Sequence, residues 1–545
     1  MTTPQPIHTP SRGPAFSMMT IMALVLAVAA AVGVAAPATA GPGRTVVQTD
    51  VGLVRGTLDH GATRTFQGIP YAAPPVGELR WRNPEPADPW RGVRDATTPG
   101  PACAQNEGEL PEGSASEDCL YLNVTTPATP TDEPRPVIVW LHGGGFFMGA
   151  GHNYDPSRLA TRGDAVVVTI NYRLGMFGFL GLPGLADSGT FGLADQQAAM
   201  AWVQRNAAAF GGDPDNVTLA GQSAGAVSTC AQLASPGAAG LFDRAIMQSG
   251  SCDLAWLANT VYKGQPADNI LLPVETIQER GRALATDLGC VSDDQAAVLE
   301  CLRALPVETL KQVMDGFIQP AYGTDLLPVE PSEAFATGAF NRVPVLSGHT
   351  RDESTLEVVT YEGGAAPMSE QTYQEVMTET FGDDRAAVEE VYPRSEYESG
   401  AAAWAAIATD SKWASGQYET SLALSRFVPV HQYEFSDPAP PFSSPAPMTM
   451  GAYHTSDLWS FFALSGEEPT FTAEQQQLSD QMIDYWAAFA ATGDPGAADG
   501  PVWPTFDGAA STPYVQSLAP GAIEAVDVAA EHHLAFWRRH QPANG

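Results

Sequence analysis

Short apolar runs alternate with longer amphipathic stretches through the middle of this chain. Pro136–Leu141 (PVIVWL) and Ala165–Ile170 (AVVVTI) are almost continuously apolar, the pattern of strands buried on both faces, as in a parallel sheet. From Gly192 to Phe210 the spacing turns helical, and Gly211-Gly212-Asp213-Pro214 stops it. A strand over Asn216–Ala220, a helix over Ala226–Leu233 and a strand over Arg244–Gln248 follow, and further strands are predicted at Val343–Ser347 and Val430–Phe435. Strands and helices in alternation predict an α/β chain built on a parallel sheet. At the start, residues 45–49 and 52–56 read as a hairpin, whereas Phe66–Pro75 is too rich in proline for regular structure. Pro438–Pro447 reads as a loop, and a helix over Gln477–Ala491 ends at Thr492-Gly493-Asp494-Pro495. From about 255 to 340 and from 360 to 425 the chain is more helical and more acidic. These stretches are expected as insertions covering the upper edge of the sheet. No repeat and no linker divides the chain.

The N-terminus departs from this pattern. Met18 to Ala36 is apolar but for Thr20, and Ala38-Thr39-Ala40 has the small-x-small form of a cleavage site. Residues 1–40 are therefore expected to be a signal peptide, residues 41–545 the mature domain, and the protein secreted. The competing reading is an uncleaved anchor, because the run is nearly long enough to span a bilayer. Charge narrows the partners. The chain has 27 basic and 62 acidic residues, a net −35, and loss of Arg12 with the signal would make it −36. Nucleic acid and anionic membrane surfaces are excluded as partners by that balance, and a monomer is expected. The six cysteines, Cys103, Cys119, Cys230, Cys252, Cys290 and Cys301, are even in number and lack the close Cys/His spacing of a zinc site. In an exported chain they read as disulfides.

Candidate chemistry enters at Gly221-Gln222-Ser223-Ala224-Gly225. A Gly-x-Ser-x-Gly between a strand and a helix is the setting of a nucleophile elbow, whose sharp turn leaves no room for a Cβ on either side of the serine. His142-Gly143-Gly144-Gly145-Phe146 follows directly on the strand ending at Leu141. A glycine run there lets bare backbone N–H groups approach a reacting oxygen.

These two motifs, with Glu117-Asp118-Cys119-Leu120-Tyr121-Leu122-Asn123-Val124, resemble the type-B carboxylesterase family. Phe66-Gln-Gly-Ile-Pro-Tyr-Ala, Asn171-Tyr172-Arg173, Thr492-Gly-Asp-Pro and Trp503-Pro504 extend the likeness from about residue 45 to 540. The resemblance implies an α/β-hydrolase fold, with a large, mostly parallel central sheet flanked by helices and helical insertions over the active site. It implies a Ser–Glu–His triad in that chain order. Gly348-His349-Thr350-Arg351-Asp352-Glu353-Ser354 matches the family's acid motif except for Ser354 in place of glycine, so Glu353 is the candidate and Asp352 the alternative. Gly451-Ala452-Tyr453-His454-Thr455-Ser456-Asp457-Leu458 matches the histidine motif and selects His454. His142 reads as loop structure, and His532, His533 and His540 as surface positions of a C-terminal helix. The resemblance further implies an oxyanion hole from the N–H groups of Gly144, Gly145 and Ala224, pairs Cys103 with Cys119 and Cys290 with Cys301, and needs no cofactor or metal. Cys230 lies about two helical turns after Ser223 and Cys252 follows the next strand, so these two could also meet.

The function implied is a serine esterase acting on neutral esters of short to medium acyl chain or small aromatic groups. A triacylglycerol lipase and a non-catalytic esterase-like binding protein are the other readings. Choline esters are not expected as substrates. A quaternary ammonium needs an aromatic face, the loop Ala104–Asp118 holds no aromatic residue, and Gln222 beside the serine is neutral. A cation site elsewhere would call on residues such as Trp413 or Trp459.

Overall fold

A computed structural model describes residues 45–59, 61–363, 366–442, 446–496 and 500–540. The expected signal peptide and its boundary at residue 40 lie outside the described residues. The frame is one large sheet. Its strands are β1 (Thr57–Asp59), β2 (Thr63–Pro70), β3 (Tyr121–Pro127), β4 (Arg135–Leu141), β5 (Val166–Ile170), β6 (Gly212–Gln222), β7 (Arg244–Gln248), β8 (Val345–Thr350), β9 (Val430–Phe435), β10 (Val515–Ala519) and β11 (Ala522–Val526). They lie in the order β1-β2-β3-β5-β4-β6-β7-β8-β9-β10-β11. From β5 to β10 the neighbours run parallel, and the pairs at both edges run antiparallel. The parallel strands are apolar along their whole length because both faces are covered. Val137, Val139, Val217 and Leu219 face one core, and Ile138, Trp140, Ala220 and Ile246 face the other.

The helices that cover these faces include α1 (Phe191–Phe210), α2 (Ala224–Ala234), α4 (Ser415–Ser425) and α5 (Ala473–Thr492), whereas α3 (Gly400–Ala408) packs with the C-terminal helix in a cluster of its own. Gly211 and Gly493 stop α1 and α5 in left-handed conformation, as the glycines in the sequence predict. A π-helical turn, Thr409–Ala414, joins α3 to α4. The expected hairpin forms, with Val46 opposite Arg55. Among the described residues, no helix is long and apolar enough to cross a membrane.

The stretch Phe66–Pro75 differs from expectation, because Phe66–Pro70 belongs to β2. The strand survives its glycine through a shift of register between Phe66 and Ile69, where Gly68 takes a positive φ of 67°. Pro70 stands last in the strand, where a missing N–H costs nothing. Disulfides join Cys103 to Cys119, Cys230 to Cys252 and Cys290 to Cys301. The second ties α2 to the segment after β7.

His532 is not a surface residue. It lies in the turn before the last helix, 3% exposed, with Nδ1 2.6 Å from Asp410 and Nε2 2.6 Å from Glu434. Its partners stand 122 and 98 positions away in sequence, so nothing local to His532 announces them. His533 and His540 are half-buried.

Candidate active site

Ser223 stands between β6 and α2 at φ 57°, ψ −125°, a conformation that non-glycine residues rarely adopt. The surrounding packing enforces it. A Cβ at Gly221 would come within 2.4 Å of Gly225, and one at Gly225 within 2.0 Å of the Leu141 carbonyl. Only glycines let β4, the turn and α2 approach this closely. The Ser223 N–H donates to the Gln248 carbonyl on neighbouring β7 (2.9 Å), which pins the turn to the sheet.

The glycine run after β4 lies beside this turn. Gly144 and Gly145 have φ of 94° and 57°, and a Cβ at Gly144 would sit 2.3 Å from the Met148 carbonyl. Among the described hydrogen bonds, the N–H groups of Gly144, Gly145 and Ala224 have no protein acceptor, and all three residues line one cavity with Ser223. His142 is stacked on Tyr172 (4.4 Å), and burial pushes its pKa down to about 4, so it is a neutral packing residue.

His454 reaches the same place from a loop after β9. Its Nε2 lies 2.9 Å from Ser223 Oγ, and its Nδ1 lies 2.5 Å from Glu353. The Gln222 amide stands 3.2 Å from Nε2. Glu353 follows β8 and is fully buried, and its other oxygen accepts from the Thr350 N–H (2.8 Å). Burial pulls the Glu353 carboxyl up, but the His454 charge, the hydrogen bond to it and the Thr350 amide outweigh burial and hold it below its ordinary range. Asp352 does not meet the imidazole. Its carboxylate accepts from the Ala452 N–H (2.9 Å) and so braces the loop that carries His454.

The serine opens into a cavity of about 460 Å³. Its walls are mostly apolar, formed by Phe147, Leu254, Trp256, Ile270, Ile318, Leu356 and Trp413. Trp413 sits on the π-helical turn with its ring 4.4 Å from that of His454. Lys412, beside it, donates to Glu357 (2.6 Å) with Nζ 4.2 Å from the Trp413 ring and 5.8 Å from Trp256. Glu109, from the first disulfide loop, also lines the cavity, its carboxyl raised by burial. Trp459 is buried and donates to the Tyr453 hydroxyl (2.9 Å). Sequence reasoning missed Trp256 and Lys412, which come from the insertions, and Glu357, which stands just past the acid motif, because no motif marks them.

The carboxylesterase family model matches residues 43–537. The chain is 38% identical to para-nitrobenzyl esterase of Bacillus subtilis (strain 168), covering 85% of this chain and 92% of that one. It is 34% identical to cocaine esterase of Homo sapiens, covering 91% of each. A solved PNB esterase superimposes with a TM-score of 0.70 at 35% identity, covering 88% of this chain and 97% of that one. A thermophilic PNB esterase gives 0.73 at 34% identity, covering 91% of this chain and 100% of that one.

Proposed function

This chain belongs to the carboxylesterase family and is a carboxylic ester hydrolase, and from that premise we propose that it is a secreted esterase of small neutral esters, working through Ser223, His454 and Glu353. The observation that carries the reading is the continuous hydrogen-bonded line from Ser223 Oγ through His454 to Glu353 at the floor of an apolar cavity.

A serine hydroxyl is a weak nucleophile until a base takes its proton. In the proposed course, His454 Nε2 accepts that proton as Ser223 Oγ attacks the ester carbonyl. Glu353 fixes the Nδ1–H tautomer and stabilises the imidazolium. The N–H groups of Gly144, Gly145 and Ala224 receive the oxyanion, each such donor being worth about 2.7–4 kcal/mol of barrier. His454 then protonates the departing alcohol, and water admitted to the same position hydrolyses the acyl-enzyme.

Neutral substrates are favoured by the contents of the cavity. Trp413 is an aromatic face of the cavity, and it already has the His454 ring and the Lys412 ammonium against it. A substrate cation would have to share that ring face with the Lys412 ammonium. The relative named for para-nitrobenzyl esters supports a small aromatic alcohol side. Secretion is supported by the apolar run before Ala40 and by the three disulfides.

One set of assays tests the proposal. Wild type should hydrolyse 3,3-dimethylbutyl butyrate with higher kcat/KM than butyrylcholine, and Ser223→Ala should hydrolyse neither while keeping its melting temperature. A serine-directed phosphonate that labelled another residue would overturn the mechanism. A preference for the choline ester at physiological salt would overturn the substrate class.

A further inference from the structure

On the strand that leads to Glu353, and on its neighbour, lies a second group of buried titratable side chains that the ester chemistry does not use. His349 on β8 and Glu434 on β9 are register partners, so they project together from one face of the sheet. His532 comes down on them from the C-terminal turn, with its ring 5.2 Å from that of His349 and nearly perpendicular to it. One ligand atom from each of these three residues lies within 4.8 Å of the other two. All three side chains are buried, at 0%, 1% and 3% exposure.

The hydrogen bonds around them have a consistent form. His532 Nδ1 is held by Asp410 (2.6 Å), whose other oxygen accepts from the Tyr392 hydroxyl (2.7 Å). Glu434 Oε1 accepts from Ser436 Oγ (2.9 Å). His349 Nδ1 lies 3.2 Å from the Thr350 carbonyl, and its Nε2 is buried with no partner. Each residue is thus anchored through one polar atom, leaving His349 Nε2, Glu434 Oε2 and His532 Nε2 on the inner side. Carboxylate–histidine and carbonyl–histidine anchoring of this kind is how proteins orient metal ligands. A buried acceptor without a donor is unfavourable, and coordination satisfies His349 Nε2.

We propose that His349, Glu434 and His532 form a site for one divalent transition-metal ion of the zinc class, separate from the ester-hydrolysing centre. Two imidazoles and one carboxylate are a ligand set that suits zinc and its borderline neighbours. The proton that His532 Nε2 now shares with Glu434 Oε2 (2.6 Å) leaves as the ion enters, so binding exchanges one proton for one ion. Access is provided by a cavity of about 570 Å³ whose wall includes Asp410 and His532 together with the carboxylates of Asp352, Glu396 and Glu398. The bound ion joins β8, β9 and the C-terminal turn. It therefore acts as a clamp behind the strand end that presents Glu353. The sequence gives no hint of it, because the three ligands are spread over 183 positions of chain, from 349 to 532, with no motif spacing.

The test is zinc binding to the tag-free full chain after removal of metal with EDTA and dialysis. Calorimetry should show one equivalent of Zn²⁺ bound per chain and about one proton released, compared across buffers of different ionisation heat. Co²⁺ should give a visible absorption band. His349→Ala and, as a second variant in case the first misfolds, Glu434→Gln should each weaken Zn²⁺ at least tenfold and abolish the rise in melting temperature that Zn²⁺ gives wild type. Asp410→Asn should weaken it roughly 10–100-fold, the usual cost of losing the partner that orients a ligand. Wild-type uptake no tighter than that of either ligand variant, or no saturable uptake at all, overturns the proposal.

Discussion

His454 and His532 are both buried imidazoles gripped by carboxylates, yet their surroundings prepare them for opposite tasks. His454 has one carboxylate, Glu353, on Nδ1, and a hydroxyl, Ser223, on Nε2. Its second nitrogen faces a cavity. His532 has a carboxylate on each nitrogen, Asp410 and Glu434. Burial alone would drive its proton off, but the two anions outweigh burial and hold its pKa well above the ordinary value. Glu434 is correspondingly held down to about 2: burial opposes this, but the bond to His532 and its charge prevail. One carboxylate leaves an imidazole free to exchange a proton with a substrate. Two carboxylates make it a fixed cation, or a ligand once that proton is displaced. The count and placement of anions, rather than the residue type, decide the role.

Substitutions that change this count give the sharpest tests. The largest effect is expected at the single-carboxylate histidine. Glu353→Gln removes the charge that fixes the tautomer, and kcat should fall about 10⁴-fold, measured on a neutral butyrate ester. A fall below tenfold would show that Asp352 or another acid carries the role. At the two-carboxylate histidine the cost should appear in stability instead. Asp410→Asn leaves a buried cation with one partner, and should cost about 3–5 kcal/mol, read as a lower melting temperature, with kcat within about threefold of wild type. A loss of activity at unchanged stability would erase the distinction between the two histidines.

The smallest effect is expected where a carboxylate has no histidine at all. Burial raises Asp253 to about 6, against the relief given by the Thr420 hydroxyl, which donates to it at 2.6 Å. Because the native state holds this proton up to about pH 6 and the unfolded chain releases it near 3.8, wild type loses stability as pH rises through that interval. Asp253→Asn should remove the loss and gain on the order of 1 kcal/mol at pH 7 but little below pH 4. Melting curves at the two pH values decide it, and an equal effect at both would rule out the linkage.

The two histidines also differ in how readable they are. The α/β frame follows from apolar runs and glycine stops, because buried parallel strands have few other ways to appear. The elbow at Ser223 is readable for the same local reason: its glycines are demanded by a turn that Gly221 and Gly225 alone permit. His454 and Glu353 have no such local signature, and only their resemblance to a family's motifs separates them from the other histidines and acids. His532 misleads, because its position beside a surface-looking helix gives no sign of Asp410 and Glu434 on other elements. The cavity walls are the least legible. Trp256, Lys412 and Trp413 come from insertions whose apolar patterning does not say what they overhang.

That division of origin has an evolutionary consequence. Of the groups proposed for bond breaking, Ser223 and Glu353 follow strand ends and His454 stands on a loop pinned by backbone contacts to Glu353 and Asp352, while much of the wall that a substrate would touch hangs from segments outside the sheet. Selectivity is therefore a detachable trait. Segment exchange limited to 254–270 offers a route to new substrate ranges on an unaltered chemical engine, and in a lineage of such enzymes this segment should be the one that diverges first.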